Sequence, residues 1–195
     1  KANIMMQIAT NEALHANAPK FNKKEFEEAV DYALTLTENH TDFYDKLKAA
    51  FFNAGVIFVI LPNISGSRIN GATKKVGENI VLMVNDRRLY ADTFWFTLFH
   101  EIGHILSGDY GVSFDMEMGE NEKLADEYAR DRLIPSQQYD EFISHRIFSP
   151  QSIKDFSKRI HRDPGIVLGR LQKDGIVGYN DAKMNALKTQ YKLRS

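Results

Sequence analysis

The spacing of apolar residues predicts helices in the N-terminal part of the chain. From about Asn22 to Ala54, apolar residues recur every three or four positions, which is the period of one helix face. The pattern predicts two packing helices with apolar faces made of Phe26, Ala29, Val30, Ala33 and Leu34, then Phe43, Leu47, Ala50 and Phe51.

Three short runs after these helices predict a sheet. Val56 to Ile60 is β-branched and apolar and is followed by Pro62, as expected of a buried strand. Arg68 to Lys75 and Asn79 to Val84 flank Gly77-Glu78, a pair suited to a tight turn. We therefore predict a small antiparallel three-stranded sheet.

An apolar segment in the middle of the chain predicts a core helix. Phe94 to Leu106 is apolar almost all round, with Asp92 or Thr93 as a possible cap and Ser107-Gly108 as a stop. An acidic loop of about 109–120 and a helix from about Asn121 to Leu133 follow. A helix without a polar face must run through the interior.

The C-terminal part predicts a pair of short helices, Ser149 to Ile160 and Pro164 to Lys173. The chain then divides into an N-terminal helical segment (1–54), a core (55–136) and a C-terminal helical subdomain (137–195). We expect an α+β fold, with a central helix flanked by other helices and the small sheet.

Composition limits the chemistry. The 195 residues include no cysteine, so a transition metal must be held by histidine and carboxylate. The formal net charge of -1 does not favour direct nucleic-acid binding. The chain shows neither a membrane span nor a secretion signal, so we expect a cytoplasmic protein without a membrane partner. A start at Lys1 instead of methionine is expected either of a fragment of a longer polypeptide, with an upstream domain missing, or of a processed chain.

The sequence His100-Glu101-Ile102-Gly103-His104 lies on the predicted core helix. Four residues turn a helix by about 400°, so the two histidines stand on one face, one turn apart, where one metal ion can bridge them. Glu101 lies beside them and can take the proton of a water activated by zinc. We predict a metal site with His100 and His104 as ligands and Glu101 as the catalytic base.

A third ligand should come from the carboxylates that follow. Glu122 and Asp126 are four apart on the next predicted helix, so both can face the metal helix. Glu122 could bind zinc while Asp126 accepts the N–H of a ligating histidine. If Glu122 were not the ligand, Asp126 or Glu120 would be next in line. Most of the downstream acids should only solvate a loop, Glu122 and Asp126 excepted; the full set of candidates is Asp109, Asp115, Glu117, Glu120, Glu122, Asp126 and Glu127.

These segments resemble a known family. FWFTLFHEIGHILSG (Phe94 to Gly108), ENEKLADEYARDRLIP (Glu120 to Pro135) and SRINGATKKVGENIVLMVND (Ser67 to Asp86) look like the ImmA/IrrE metallopeptidases. The tail PGIVLGRLQKDGIVGYN (Pro164 to Asn180) resembles the version of this domain fused to helix-turn-helix regulators of the HigA-like antitoxin type.

The resemblance implies a zincin-like (gluzincin) fold with zinc bound by His100, His104 and Glu122, and with Glu101 as general base. It implies a zinc-dependent endopeptidase whose protein substrate is a repressor-type regulator. The partners it implies are a fused or missing N-terminal helix-turn-helix domain, or a cognate toxin. The motif does not identify the residue that stabilises the oxyanion, for which the candidates are Tyr90, Tyr110, Tyr139 and His145.

Two other interpretations stay open. The chain could be a non-catalytic sensing or interaction domain of a HigA-like antitoxin regulator, although the intact Glu101 argues against this. The C-terminal helix pair has helix-turn-helix proportions and could contact DNA through Lys154, Lys158, Arg159, Arg162, Arg170 and Lys173. Manganese or iron could also occupy a site of this kind in place of zinc.

Overall fold

A mixed four-stranded sheet forms the centre of the protein in a computed structural model that describes residues 1–64, 67–85, 90–114 and 119–191. Its strands are β1 (Val56–Leu61), β2 (Ile69–Val76), β3 (Asn79–Asn85) and β4 (Val112–Phe114). They lie in the order β1-β3-β2-β4, so β1 and β4 are the two ends of the sheet.

The prediction of a three-stranded antiparallel sheet was wrong in two respects. Gly77, with a φ of 61°, makes the tight turn between β2 and β3, so these strands are antiparallel as expected. The hairpin is placed with β3 next to β1, however, and β3 therefore pairs with β1 in parallel. The fourth strand, β4, comes from the predicted acidic loop and is too short at three residues to show an alternating pattern.

Helices make up most of the rest of the described chain. They are α1 (Ala2–His15), α2 (Lys23–Thr35), α3 (Phe43–Asn53), α4 (Ala91–Ser107), α5 (Glu120–Leu133), α6 (Ser136–Ser144), α7 (Pro150–Ile160), α8 (Pro164–Lys173) and α9 (Ala182–Asn185). The six predicted helices correspond to α2, α3, α4, α5, α7 and α8, whereas the sequence pattern did not predict α1, α6 and α9. The fold is therefore α+β, as predicted.

Helix α4 begins earlier than predicted. Neither Asp92 nor Thr93 caps it, because both lie inside its first turn, after the start at Ala91. The C-terminal tail takes over this role, since the Ala91 N–H donates to the Thr189 carbonyl oxygen at 2.8 Å. The predicted stop is confirmed at Gly108, which adopts the left-handed conformation with a φ of 76°.

Hydrophobic clusters cover both faces of the sheet, and this explains why its strands are apolar runs. One cluster packs Met5, Ala9 and Ala13 of α1 against strand residues that include Val59 and Met83. The other cluster is larger, runs from Phe26 to Tyr191 and draws on all three predicted segments. Among the described residues, no helix has both the length and the apolar character needed to span a membrane.

The core positions α4 for its chemistry. Trp95, Leu98, Phe99 and Ile102 of this helix are fully buried. The helix contacts β2 and β3 of the sheet and also α5 and α8. Burial on several sides fixes the rotation of α4 about its axis and therefore the direction of every side chain on it.

The tail is tied to α4 by a buried hydrogen bond that can be tested. Trp95 Nε1–H donates to the Tyr191 hydroxyl at 2.8 Å. Tyr191→Phe would leave this indole donor without its partner, so we expect the free energy of unfolding to fall by about 1–3 kcal/mol, measured by urea denaturation. Tyr179→Phe is the control, because Tyr179 is 61% exposed. An equal loss in both variants would contradict the assignment.

Candidate metal centre

Three side chains from two helices converge on one point. His100 and His104 stand one turn apart on α4, and Glu122 lies in the first turn of α5. Glu122 Oε2 is 3.1 Å from His100 Nε2, and its Oε1 is 3.3 Å from His104 Nε2. The two Nε2 atoms are 3.0 Å apart, and all three side chains are buried or half-buried. The group has the residue types and the spacing to hold a metal ion.

The other nitrogen of each histidine meets a carboxylate. His100 Nδ1 is 2.8 Å from Asp126 Oδ1, and His104 Nδ1 is 3.1 Å from Asp109 Oδ2. A carboxylate accepts a hydrogen bond from the Nδ1–H group, which leaves the Nε2 lone pair free. Two such lone pairs 3.0 Å apart repel each other unless a cation or a proton lies between them. The donor set therefore fits a divalent metal ion.

Asp109 was wrongly assigned to the group of acids that only solvate a loop. The left-handed Gly108 ends α4 and lets the Asp109 N–H donate to the His104 carbonyl oxygen at 3.0 Å. This turn folds the chain back so that the carboxylate reaches the His104 ring. In the sequence, this contact was indicated only by the position of Asp109, five residues after His104 and directly after the glycine that ends the helix.

The other acids have different positions. Asp126 takes the place predicted for it, and Glu120 lines the cavity at the site without joining the ligand group. Glu127 is exposed on α5. Asp115 and Glu117 lie outside the described residues.

Close packing of α4 on α5 brings Glu122 within reach. Gly103 faces α5 at the point of contact, where an added Cβ would lie 3.2 Å from Ala125 Cα and 3.3 Å from a ring carbon of Tyr128. A larger residue would push α5 away and move Glu122 from the histidines. The glycine inside the His-Glu-Ile-Gly-His sequence is therefore a packing requirement.

Glu101 is buried beside the ligand group, where the Ser113 side chain approaches its carboxyl group without completing a hydrogen bond. Its exposure is 0%, and neither carboxyl oxygen makes a hydrogen bond of good geometry with another described residue. Burial raises the pKa of Glu101 to about 8, although the nearby His100 and Ser113 act in the opposite direction. A bare carboxyl group of this kind is costly for stability, which is typical of a functional position.

A glycine on the sheet makes room for this carboxyl group. An added Cβ at Gly71 would lie 2.4 Å from Glu101 Oε1 and 2.6 Å from its Cγ. Gly71 pairs with Ser113 of β4, so Glu101 packs against the point where β2 and β4 meet. The sequence analysis did not identify Gly71, since only the fold brings it to Glu101.

Electrostatic interactions also hold His100 and Asp126 together. Burial alone lowers the pKa of His100, but the hydrogen bond to Asp126 and the charges of Glu101 and Glu122 outweigh it, so the pKa is raised. Burial raises the pKa of Asp126, but the contact with His100 and the charge of Lys173 outweigh it, so the pKa is lowered. Each group favours the charged form of the other in the metal-free protein.

The site opens into a cavity of about 480 Å³. Its walls come from α4, from the chain before and along β4, and from the start of α5: His104, Asp109, Gly111, Val112, Ser113, Gly119, Glu120, Asn121 and Glu122. The strand β4 therefore lies both at an end of the sheet and along the cavity. An extended chain placed beside it would lie next to the metal ligands.

The four side chains considered for oxyanion stabilisation do not line this cavity. The Tyr139 hydroxyl donates to Asp174 at 2.7 Å, and the His145 ring contacts the Glu141 carbonyl oxygen. Tyr90 lines a different cleft, and Tyr110 packs against the main core. The described part of the chain thus offers no support for these four candidates.

Comparison with known proteins returned no match to a family model and no curated protein with a similar sequence. The chemistry of the site is therefore argued from its own geometry. Imidazole and carboxylate ligands suit zinc, and they also suit manganese or iron. The structure supports a metal-binding group without identifying the metal.

The first prediction for this site concerns metal content. Protein purified with zinc supplied should hold about one divalent ion per chain, measured by mass spectrometry. His104→Ala and Glu122→Ala should lose it, because each removes a ligand. Glu101→Gln should retain it and serves as the folded control. Equal metal content in all four proteins would rule out this ligand set.

The second prediction concerns Asp109. Asp109→Asn keeps the size of the side chain but replaces the carboxylate on His104 Nδ1 with an amide. We expect metal affinity to fall by about 10-fold to 100-fold in a chelator competition assay. Asp131→Asn on α5 is the matched control, since its carboxylate pairs with Arg130 at 3.1 Å instead of with a ligand. Unchanged affinity in Asp109→Asn would show that the contact does not support the site.

Proposed function

We propose that the protein is a zinc-dependent metallo-endopeptidase of the ImmA/IrrE type, with a zincin-like arrangement of helix, sheet and ligands. One observation supports it most: a fully buried Glu101, whose carboxyl oxygens complete no hydrogen bond with the described residues, lies close to His100 and Glu122. A metal site with a purely structural role needs the three ligands but gains nothing from an adjacent bare carboxyl group.

The residues divide the chemistry between them. A bound zinc ion would supply a Lewis acid that polarises the peptide carbonyl and acidifies water. Glu101 takes a proton from the attacking water as its oxygen bonds to the carbonyl carbon, and then delivers that proton to the amide nitrogen as the C–N bond breaks. The products are a carboxylic acid and an amine, with Glu101 returned to its starting state.

Strand β4 is the proposed binding edge for the substrate. It forms one end of the sheet and lines the cavity through Val112 and Ser113. Its inner side is fixed to β2, since the Thr73 N–H donates to the Gly111 carbonyl oxygen at 2.8 Å. An extended peptide could add to the outer side by backbone hydrogen bonds, with its scissile bond near the ligands.

The substrate class is carried over from the family resemblance. We propose a repressor-type regulatory protein cleaved in the cytoplasm, with an upstream helix-turn-helix domain or a cognate toxin as partner. The alternative is a non-catalytic sensing domain of such a regulator. The two differ in one property, because only the peptidase requires the carboxyl group of Glu101.

The structure does not favour DNA binding by the C-terminal helix pair. Helix α8 would have to enter the major groove, but most of its side chains are buried, including Val167, Leu168 and Leu171. Arg162 is used internally, where its Nε–H donates to the Leu133 carbonyl oxygen at 2.8 Å. We therefore do not propose it as a second function.

The proposal is tested by cleavage of a proteome-derived peptide library, with new N-termini identified by mass spectrometry. Zinc-loaded wild type should cleave at defined sites. Glu101→Gln should retain metal but lose about 10²-fold to 10⁴-fold in rate, because the amide cannot take the proton. Gly71→Ala should also lose activity with metal retained, since its Cβ would displace the Glu101 carboxyl group.

Controls separate the two interpretations. Gly178→Ala changes a glycine away from the metal site, without a left-handed backbone, where an added Cβ would meet no atom within 4 Å, and it should cleave like wild type. Equal cleavage by wild type and Glu101→Gln would indicate a contaminating peptidase. The protein could instead bind metal but show no Glu101-dependent cleavage, either of the library or of a regulator encoded next to it. That result would favour the non-catalytic sensing domain.

A further inference from the structure

A second cavity of about 480 Å³ lies outside the metal site. Helix α4 contacts both α5 and α8, and the cavity lies between these two helices. Its apolar part is formed by Phe96, Leu133, Ile134 and Ile166. Cavities of roughly 300–1,000 Å³ with largely apolar walls are typical of small-molecule sites. The three metal-binding side chains do not line it.

Charged side chains surround this cavity. The basic ones are Arg130, Arg170, Lys173 and Lys188, and the acidic ones are Asp92, Asp126 and Asp174. Lys188 and Asp92 neutralise each other at 2.7 Å. Arg170 meets Asp174 at 2.6 Å and forms a second internal pair. Arg130 and Lys173 then face the cavity with Asp126 as the remaining acid of the lining, which therefore has one basic residue more than acidic ones, while Asp131 outside the lining pairs with Arg130.

Lys173 and Arg130 are available to a ligand. Lys173 Nζ is 3.7 Å from Asp126 Oδ2, longer than a hydrogen bond, and its side chain is 59% exposed. The ammonium group lies 4.4 Å from the centre of the Phe96 ring, so a charged group and an apolar surface are presented together. Arg130 contacts Asp131 through Nε and is 40% exposed, so the terminal nitrogens of its guanidinium group are not used by this contact.

Asp126 is not a dedicated partner of Lys173. Its Oδ1 already accepts a hydrogen bond from His100 Nδ1 at 2.8 Å. The carboxylate is therefore shared between the metal-binding histidine and the edge of the second cavity. A ligand with an acidic group can offer Lys173 a closer partner than Asp126 does.

We propose that this cavity binds a small organic anion, with an apolar body and a single carboxylate, sulfonate or phosphate group. The body packs against Phe96 and the aliphatic side chains of α5 and α8. The acidic group pairs with Lys173 and Arg130. This binding requires neither metal nor catalysis, so it stands apart from the proposed peptidase function.

The test compares two fluorescent dyes on the metal-free protein. The anionic dye 8-anilinonaphthalene-1-sulfonate should bind in a saturable way, as measured by fluorescence titration. The uncharged N-phenyl-1-naphthylamine has the same aromatic body without the acid, and it should bind about five- to tenfold more weakly. Equal affinity for the two dyes would overturn an anion site.

Matched variants locate the binding. Lys173→Met and Arg130→Met should each weaken the anionic dye about fivefold and leave the neutral dye unchanged, because each removes only charge. Thr93→Phe should weaken both dyes by filling the cavity, which Thr93 lines. Lys154→Met, an exposed lysine on α7 away from the cavity, should match wild type. Dye binding unaffected by all three cavity variants, with circular dichroism unchanged, would overturn the proposal.

Competition then identifies the body of the ligand. Displacement of the anionic dye by indole-3-acetate would indicate an aromatic acid, and displacement by octanoate would indicate an aliphatic one. Failure of both to displace the dye would show that the sulfonate dye reports on a surface patch, and it would overturn the proposal. All of these titrations contain EDTA, which keeps the protein free of metal. The absence of peptidase activity therefore has no bearing on the results.

Discussion

Glu122 reaches the two histidines only because α4 and α5 pack closely at Gly103, where an added methyl carbon would lie 3.2 Å from Ala125 Cα. The rest of the site depends on this contact. Helix α4 supplies His100 and His104 from its buried face, while α5 supplies Glu122, which completes the group that could hold a metal ion, and Asp126, which contacts the His100 ring. The core around Trp95 and Leu98 holds α4 in the rotation that makes the convergence possible.

The site also carries a cost that the rest of the fold must offset. Glu101 is buried and its oxygens complete no hydrogen bond with the described residues, and its raised pKa of about 8 reflects the energy of placing a charge there. Gly71 has no side chain, and only this leaves room for the carboxyl group. Large apolar clusters on both faces of the sheet provide the stability against which such costs are set.

Local patterns predicted six of the described helices and the two histidines of the candidate metal centre, because helical spacing is a property of neighbouring residues. The pairing of Asp126 with His100 followed from the same rule applied to α5. What escaped prediction depends on contacts between distant segments: the parallel pairing of β1 with β3, the strand β4, and the approach of Gly71 to Glu101. Asp109 escaped for another reason, since only the direction of the turn at Gly108 decides where its carboxylate points.

Ligands from two helices would make a bound ion a cross-link in a chain that has no cysteine. An ion that binds the folded but not the unfolded chain stabilises it by mass action, by about 2.7 kcal/mol at a hundredfold excess over its dissociation constant. The lifetime of the protein in a cell would then follow the supply of free metal. When metal is scarce, α5 would separate from α4 more often and expose the chain to degradation.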